Sequence, residues 1–198
     1  SLGDFRLRSL AQSDKSTLGK IIKIDVNSKN YKIISKGHRN PQGLFFDVKK
    51  NYLISTEHGP SGGDEINLNL NPNKNIKNFG WPVSSYGEHY SIKDNPQKYS
   101  KYPLHKSHKK FGFEEPIKYF VPSIGISEII KFKDNKYIVS SLKDGSLYSF
   151  TINEEFNLEN LKRIEIGERI RDIIHNEKEK KIYVFLEDLA GIGLIEYN

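Results

Sequence analysis

Two segments of the chain place side chains able to hold a small anion or a cation beside residues that bend the backbone. The first is Gly37-His38-Arg39-Asn40-Pro41-Gln42-Gly43-Leu44, and the second is Glu57-His58-Gly59-Pro60-Ser61-Gly62-Gly63-Asp64-Glu65-Ile66-Asn67. Gly permits positive φ and close backbone approach, while Pro fixes φ and removes a donor. Such loops leave amides and carbonyls free to face a ligand, and loops on a rigid scaffold are where sites concentrate. Either segment alone also reads as a polar hairpin turn. Hard cations take oxygen ligands, backbone carbonyls among them, and Gly59-Pro60 can turn two carbonyls toward one point. Asp64-Glu65 also fits an acid pair at a strand start, balanced by lysine. Further along stand Lys143, in Ser141-Leu142-Lys143-Asp144-Gly145, and two arginines in Arg169-Ile170-Arg171-Asp172. Arg presents a planar fork matched to carboxylates. Taken singly, each of these cations reads as a surface charge or an ion-pair partner. Together with Arg39 they suit a small polyanion.

The elements that must position these residues read as strands throughout. Short β-branched and aromatic runs recur at 20–25, 52–56, 65–70, 127–132, 136–141, 146–152, 163–166, 170–175, 181–187 and 193–197, separated by Gly, Asn, Asp and Lys clusters as hairpins require. No segment keeps a 3.6-residue period for three turns, so any helix is short. A repeat is visible. Leu44-Phe45-Phe46, a polar turn, then Tyr52-Leu53-Ile54-Ser55 matches Ile129-Ile130-Lys131-Phe132, a turn, then Tyr137-Ile138-Val139-Ser140. Ile173-Ile174-His175, a turn, then Ile182-Tyr183-Val184-Phe185 is a third copy. A period in the forties with several strands per unit is a propeller blade. The wider spacing between the first two copies leaves room for one insertion, at about 83–118. The expected architecture is an all-β propeller domain over 1–198, with about three to four blades present. In a propeller the innermost strand of each blade starts at the central channel, so Arg39, Lys143, Arg169 and Arg171 are expected to converge on one mouth, with Gly59 and Pro60 at its rim.

Composition agrees and excludes other classes. The 198 residues are 36% hydrophobic and 12% aromatic with a mean hydropathy of −0.63. The aromatics argue against disorder, and no apolar run approaches a membrane span. Cysteine is absent, which removes disulfides and thiolate metal sites. The net charge of +6 comes from lysines such as Lys49-Lys50 and Lys109-Lys110 in turn-like positions among acids and Asn, a solvated surface rather than a nucleic-acid patch. No nucleophile elbow, P-loop, His-Glu-x-x-His or dinucleotide fingerprint occurs. The chain begins Ser1-Leu2-Gly3-Asp4, so any signal peptide is expected outside it.

The two loops in this order, followed by Asn78-Phe79-Gly80-Trp81-Pro82 and later by the Ser-Leu-Lys and Arg-x-Arg-Asp segments, resemble the soluble quinoprotein glucose/sorbosone dehydrogenases, the PQQ-dependent aldose sugar dehydrogenases. The resemblance runs from Gly3-Asp4 to the C-terminus and is weakest across the insertion. It implies a six-bladed propeller of which this is the C-terminal portion. It implies pyrroloquinoline quinone contacts by Arg39, Asn40, Lys143, Arg169 and Arg171, and a calcium at the Gly59 and Pro60 carbonyls. A second, structural calcium is implied at Glu65 and the Phe79 carbonyl. The implied reaction is oxidation of an aldose at C1 to the lactone, with electrons passed to an external acceptor, in a periplasmic or secreted protein. The resemblance places the catalytic histidine base on a strand upstream of Gly3-Asp4, and Asp4 would orient it. That strand is not among these residues, and neither His38 nor His58 maps to the base, so the chain alone is expected to be inactive. Val121 stands where some members carry an aromatic near the cofactor. The alternative class is a non-catalytic propeller that binds carbohydrate or a partner.

Overall fold

A computed structural model describes residues 1–90 and 96–197. Four sheets follow one another along the chain. The first joins β1 (Lys20–Ile24), β2 (Tyr31–Lys36) and the two-residue β6 (Lys77–Asn78), which runs parallel to β2. The second has the order β3 (Pro41–Asp47), β4 (Tyr52–Glu57), β5 (Asp64–Leu70), β7 (Lys118–Phe120). The third is β8 (Ile126–Lys133), β9 (Lys136–Ser141), β10 (Ser146–Ile152), β11 (Leu158–Glu165), and the fourth is β12 (Ile170–Asn176), β13 (Lys181–Leu186), β14 (Gly191–Glu196). The last three sheets are antiparallel meanders. Among the described residues, α-helix is limited to the turn Pro96–Tyr99.

The middle strands explain why the sheets stack as blades. Every residue of β4 is buried. Because side chains alternate across a strand, Tyr52 and Ile54 pack against Tyr137 and Val139 of the third sheet, while Leu53 packs against Ile21 and Ile34 of the first. In the third sheet, Tyr137, Val139, Phe150 and Ile152 face back to the second, and Ile138 and Leu147 face forward to Ile173, Ile182 and Val184 of the fourth. Each fully buried Ile or Val contributes about 1.5–3 kcal/mol by this burial. The repeated tyrosines meet, with Tyr52 and Tyr137 hydroxyls 2.5 Å apart. The inner strands β3 and β8 approach so closely at Gly43 that a Cβ there would lie 2.6 Å from the Ile129 amide nitrogen. These are β-propeller blades. On the fourth sheet Ile174, Ile192 and Leu194 stay exposed, with no further sheet against them among the described residues.

Of the span 83–118 read as an insertion, residue 118 opens β7, the described residues before it form turns and no named strand, and residues 91–95 lie outside the described residues.

Candidate cofactor cleft

Arg39 and Asn40 lie just before the first inner strand, and the loop 58–63 joins β4 to β5. Glu57, the last residue of β4, is buried and ties the two together. Its Oε2 accepts the Arg39 amide at 2.8 Å, and its Oε1 accepts the Asn67 amide group at 2.8 Å and lies 3.2 Å from His38 Nδ1. His38 in turn contacts Ser35 Oγ at 2.8 Å. Burial would push the Glu57 carboxyl up, but His38 and the Arg39 and Asn40 amides hold it below the usual range.

Asp64 plays the matching part for the second loop. Its Oδ1 accepts the Gly59 amide at 3.1 Å and the Ser123 hydroxyl at 2.6 Å, and its Oδ2 accepts the Gly125 and Ile126 amides at 2.7 and 3.1 Å. The loop folds so tightly that a Cβ on Gly59 would lie 2.1 Å from the Gly63 carbonyl oxygen. Asp64 and Glu65 do open strand β5, but both are buried and neither pairs with a lysine, so the reading of an acid pair balanced by lysine is corrected in its partner.

Between these loops lies a cleft of about 350 Å³, lined by Arg39, Asn40, His58, Gly59, Pro60 and Lys143 among others. Arg39 Nη1 donates to the His58 carbonyl at 2.9 Å, and its guanidinium lies 5.6 Å from the Trp81 ring centre. Lys143 is exposed, and its ammonium has no partner among the described residues. No donor among them pairs with the Gly59 or Pro60 carbonyl. His58 keeps a buried Nε2 without a partner. Burial lowers its pKa, and Arg39 and Arg171 add to that against the opposing pull of Asp64 and the Ile126 backbone.

Arg169 and Arg171 do not line this cleft. Both reach Glu187, at 3.3 and 3.0 Å, and Arg169 also lies 3.5 Å from Asp188. The β12–β13 hairpin brings Glu187 back beside them, as its amide donates to the Arg169 carbonyl. Arg171 is still near enough for its charge to act on His58. The structure thus gathers Arg39, Asn40, Lys143, Gly59 and Pro60 and sets the arginine pair to one side. Val121 is exposed.

Asp4 is buried and occupied. Its Oδ2 accepts the Trp81 indole N–H at 2.7 Å, its Oδ1 accepts the Arg6 amide at 2.9 Å, and its own amide donates to the Arg39 carbonyl at 2.8 Å. It therefore fixes Trp81 and the backbone of Arg39. It also borders a larger cleft of about 760 Å³ that shares Arg39 and is walled by Arg8, Tyr90, Tyr99 and Tyr102. The guanidinium of Arg8 lies 5.0 Å from the Trp81 ring centre and 4.9 Å from that of Tyr99.

Glu65 and Phe79 meet a histidine that sequence reasoning left aside. His108 Nδ1 donates to the Phe79 carbonyl at 2.9 Å, and its Nε2 lies 3.2 Å from Glu65 Oε1, a charge contact off the line of an aligned hydrogen bond. Glu57 and Asp64 were also missed as organisers. Both stand inside the quoted loops, but nothing in the spacing shows which amides they accept.

The glucose/sorbosone dehydrogenase family model matches residues 1–194. Aldose sugar dehydrogenase YliI of Escherichia coli (strain K12) is 29% identical over 212 residues, covering 96% of this chain and 54% of that protein. A crystal structure of glucose dehydrogenase superposes with a TM-score of 0.77 at 27% identity, covering 94% of this chain and 56% of that one. The PQQ-bound form of an aldose sugar dehydrogenase from Streptomyces coelicolor, at 20% identity, shares the fold with a TM-score of 0.70 over 96% of this chain and 52% of that one. The chain thus spans about half the length of these relatives. With the blades, the ordered motifs and this match together, the chain belongs to the glucose/sorbosone dehydrogenase family.

Proposed function

We propose that the protein carrying this chain oxidises an aldose at C1 to the lactone with PQQ and calcium. The observation that supports this most is the meeting, around one cleft, of Arg39, Asn40 and Lys143 with the Gly59 and Pro60 carbonyls, where neither the Lys143 ammonium nor either carbonyl has a partner among the described residues. That donor set fits a polycarboxylate beside a hard cation. Arg39 and Lys143 would hold the carboxylates or quinone oxygens, and the Gly59 and Pro60 carbonyls would hold the calcium. When bound, PQQ supplies the two-electron acceptance that no side chain offers. Glu57 and Asp64 keep both loops in register, and the neutral His58 offers Nε2 as a further contact. Arg169 and Arg171 are proposed to add long-range positive charge, and Arg171 to reach the carboxylates if Glu187 releases it. The sugar would enter through the larger, tyrosine-walled cleft, and the electrons would leave to an external acceptor outside the cytoplasm. Among the described residues no helix is long and apolar enough to cross a membrane.

The family's histidine base is not among these residues, and losing a general base costs about 10²–10⁴-fold. The test is dye reduction with several aldoses, PQQ and calcium, on the 198-residue chain and on a version extended upstream by the blades the relatives carry. Turnover only by the extended version is expected. Robust turnover by the short chain would place the base inside it, with His58 as the first residue to mutate. Sugar binding without turnover in the extended version would favour the non-catalytic module.

A further inference from the structure

Glu65 and the Phe79 carbonyl are the two groups that the family resemblance assigns to a structural calcium. In this chain both line one small cavity, and the histidine that shares it already contacts each of them. The imidazole of His108 stands between them, with Nδ1 on the Phe79 carbonyl at 2.9 Å and Nε2 at 3.2 Å from Glu65 Oε1. The other carboxylate oxygen, Oε2, is taken by the Asn67 side-chain amide at 3.3 Å. Calcium wants six to eight oxygens at about 2.3–2.6 Å.

The ring is built into this position from several sides. It is 1% exposed. Tyr86 stacks on it, with ring centres 5.5 Å apart and planes at 23°. The backbone is pinned as well, since Glu115 Oε2 accepts the His108 and Lys109 amides at 3.0 and 2.8 Å. Across the ring, a Cβ on Gly80 would come within 3.0 Å of Nδ1, so the turn after Phe79 is shaped to admit the imidazole.

We infer that His108 takes the place of the second metal ion, its two ring nitrogens bridging Glu65 on β5 to the Phe79 turn, so that this chain has no calcium at that position. His108 comes from the loop segment before β7, so the same bridge fastens that segment to the blade. The inference rests on the family reading only for the identity of the displaced ion. It is independent of sugar oxidation and of the proposed calcium at Gly59 and Pro60.

The test counts calcium on the 198-residue chain by equilibrium dialysis, with neither PQQ nor sugar present. The chain and its Glu65→Gln variant should bind the same number of ions. Loss of about one equivalent in Glu65→Gln would overturn the inference. His108→Ala should gain about one equivalent and a calcium-dependent rise in melting temperature, and both gains should vanish in His108→Ala/Glu65→Gln. A folded His108→Ala protein that gains no calcium would equally overturn it. Should His108→Ala or Glu65→Gln fail to fold, anomalous diffraction from terbium-soaked crystals of the unaltered chain decides. No peak between Glu65 and Phe79 is expected, and a peak there refutes the bridge. Failure of the sugar-oxidation reading would leave all of these counts unchanged.

Discussion

Strand β4 begins at Tyr52 and ends at Glu57, and its two ends use buried polar groups in opposite ways. At the start, Tyr52 meets Tyr137, Tyr137 lies 3.4 Å from Asp47 Oδ2, and that carboxylate also takes the Lys131 ammonium at 2.7 Å and the Lys50 amide at 3.0 Å. The network closes across two blades. At the other end Glu57 takes the Arg39 amide with the Asn67 and His38 side chains, and Asp64 takes the Gly59, Gly125 and Ile126 amides with the Ser123 hydroxyl. Arg39, on the first loop, and Lys143, on the turn between β9 and β10, line the cleft with the Gly59 and Pro60 carbonyls, which no donor among the described residues takes. A closed network contributes stability. An open one, fixed from behind, contributes a preorganised receptor.

This comparison can be broken by mutation, and the largest effect on stability is expected at Glu57. Glu57→Ala strips the acceptor from the Arg39 amide, Asn67 and His38, each buried loss costing about 1–3 kcal/mol. A fall of roughly 3 kcal/mol or more in denaturant-derived stability is therefore expected, together with weaker PQQ binding. Tyr137→Phe should cost about 1–3 kcal/mol by leaving Tyr52 short of a partner, with PQQ binding unchanged in dialysis. Lys143→Ala reverses that pattern. Stability should stay within about 0.5 kcal/mol, and PQQ affinity should fall about tenfold to a hundredfold, the value of a charge-assisted contact.

The smallest effect is a pH dependence. Burial opposes ionisation of Asp47, but Lys131, the Lys50 amide and Tyr137 outweigh it and hold its carboxyl below the ordinary value. A depressed folded pKa means the contribution is present above about pH 4 and lost as pH falls through the lower folded value. Asp47→Asn should therefore flatten the acid limb of a stability-against-pH curve. An unchanged limb would remove Asp47 from the account.

The blades were legible because their middle strands begin with an aromatic and alternate between two packed faces, as Tyr52 and Tyr137 do. Strand β2 was not, because Tyr31 and Lys32 are both exposed and its first half carries no alternation. Strands β6 and β7 are two and three residues long, too short for a period. Within the site, the residue types of Arg39, Asn40, Lys143 and Gly59-Pro60 were readable from the segments that carry them. The diversion of Arg169 and Arg171 to Glu187 was not, since it depends on where the β12–β13 hairpin returns. The seat of His108 was hidden for the same reason. Its partners are distant in sequence, and a lone histidine in a loop has no metal-ligand spacing to mark it.

The central claim is that one cleft, built by Arg39, Asn40, Lys143 and the Gly59 and Pro60 carbonyls, holds the cofactor with its calcium. The most direct measurement is equilibrium dialysis of PQQ against the version extended by the preceding blades, with calcium and with chelator, for the unaltered protein, Arg39→Ala and Lys143→Ala. Calcium-dependent binding is expected, weakened about tenfold or more by either substitution. Binding indifferent to calcium and to both substitutions would contradict the account.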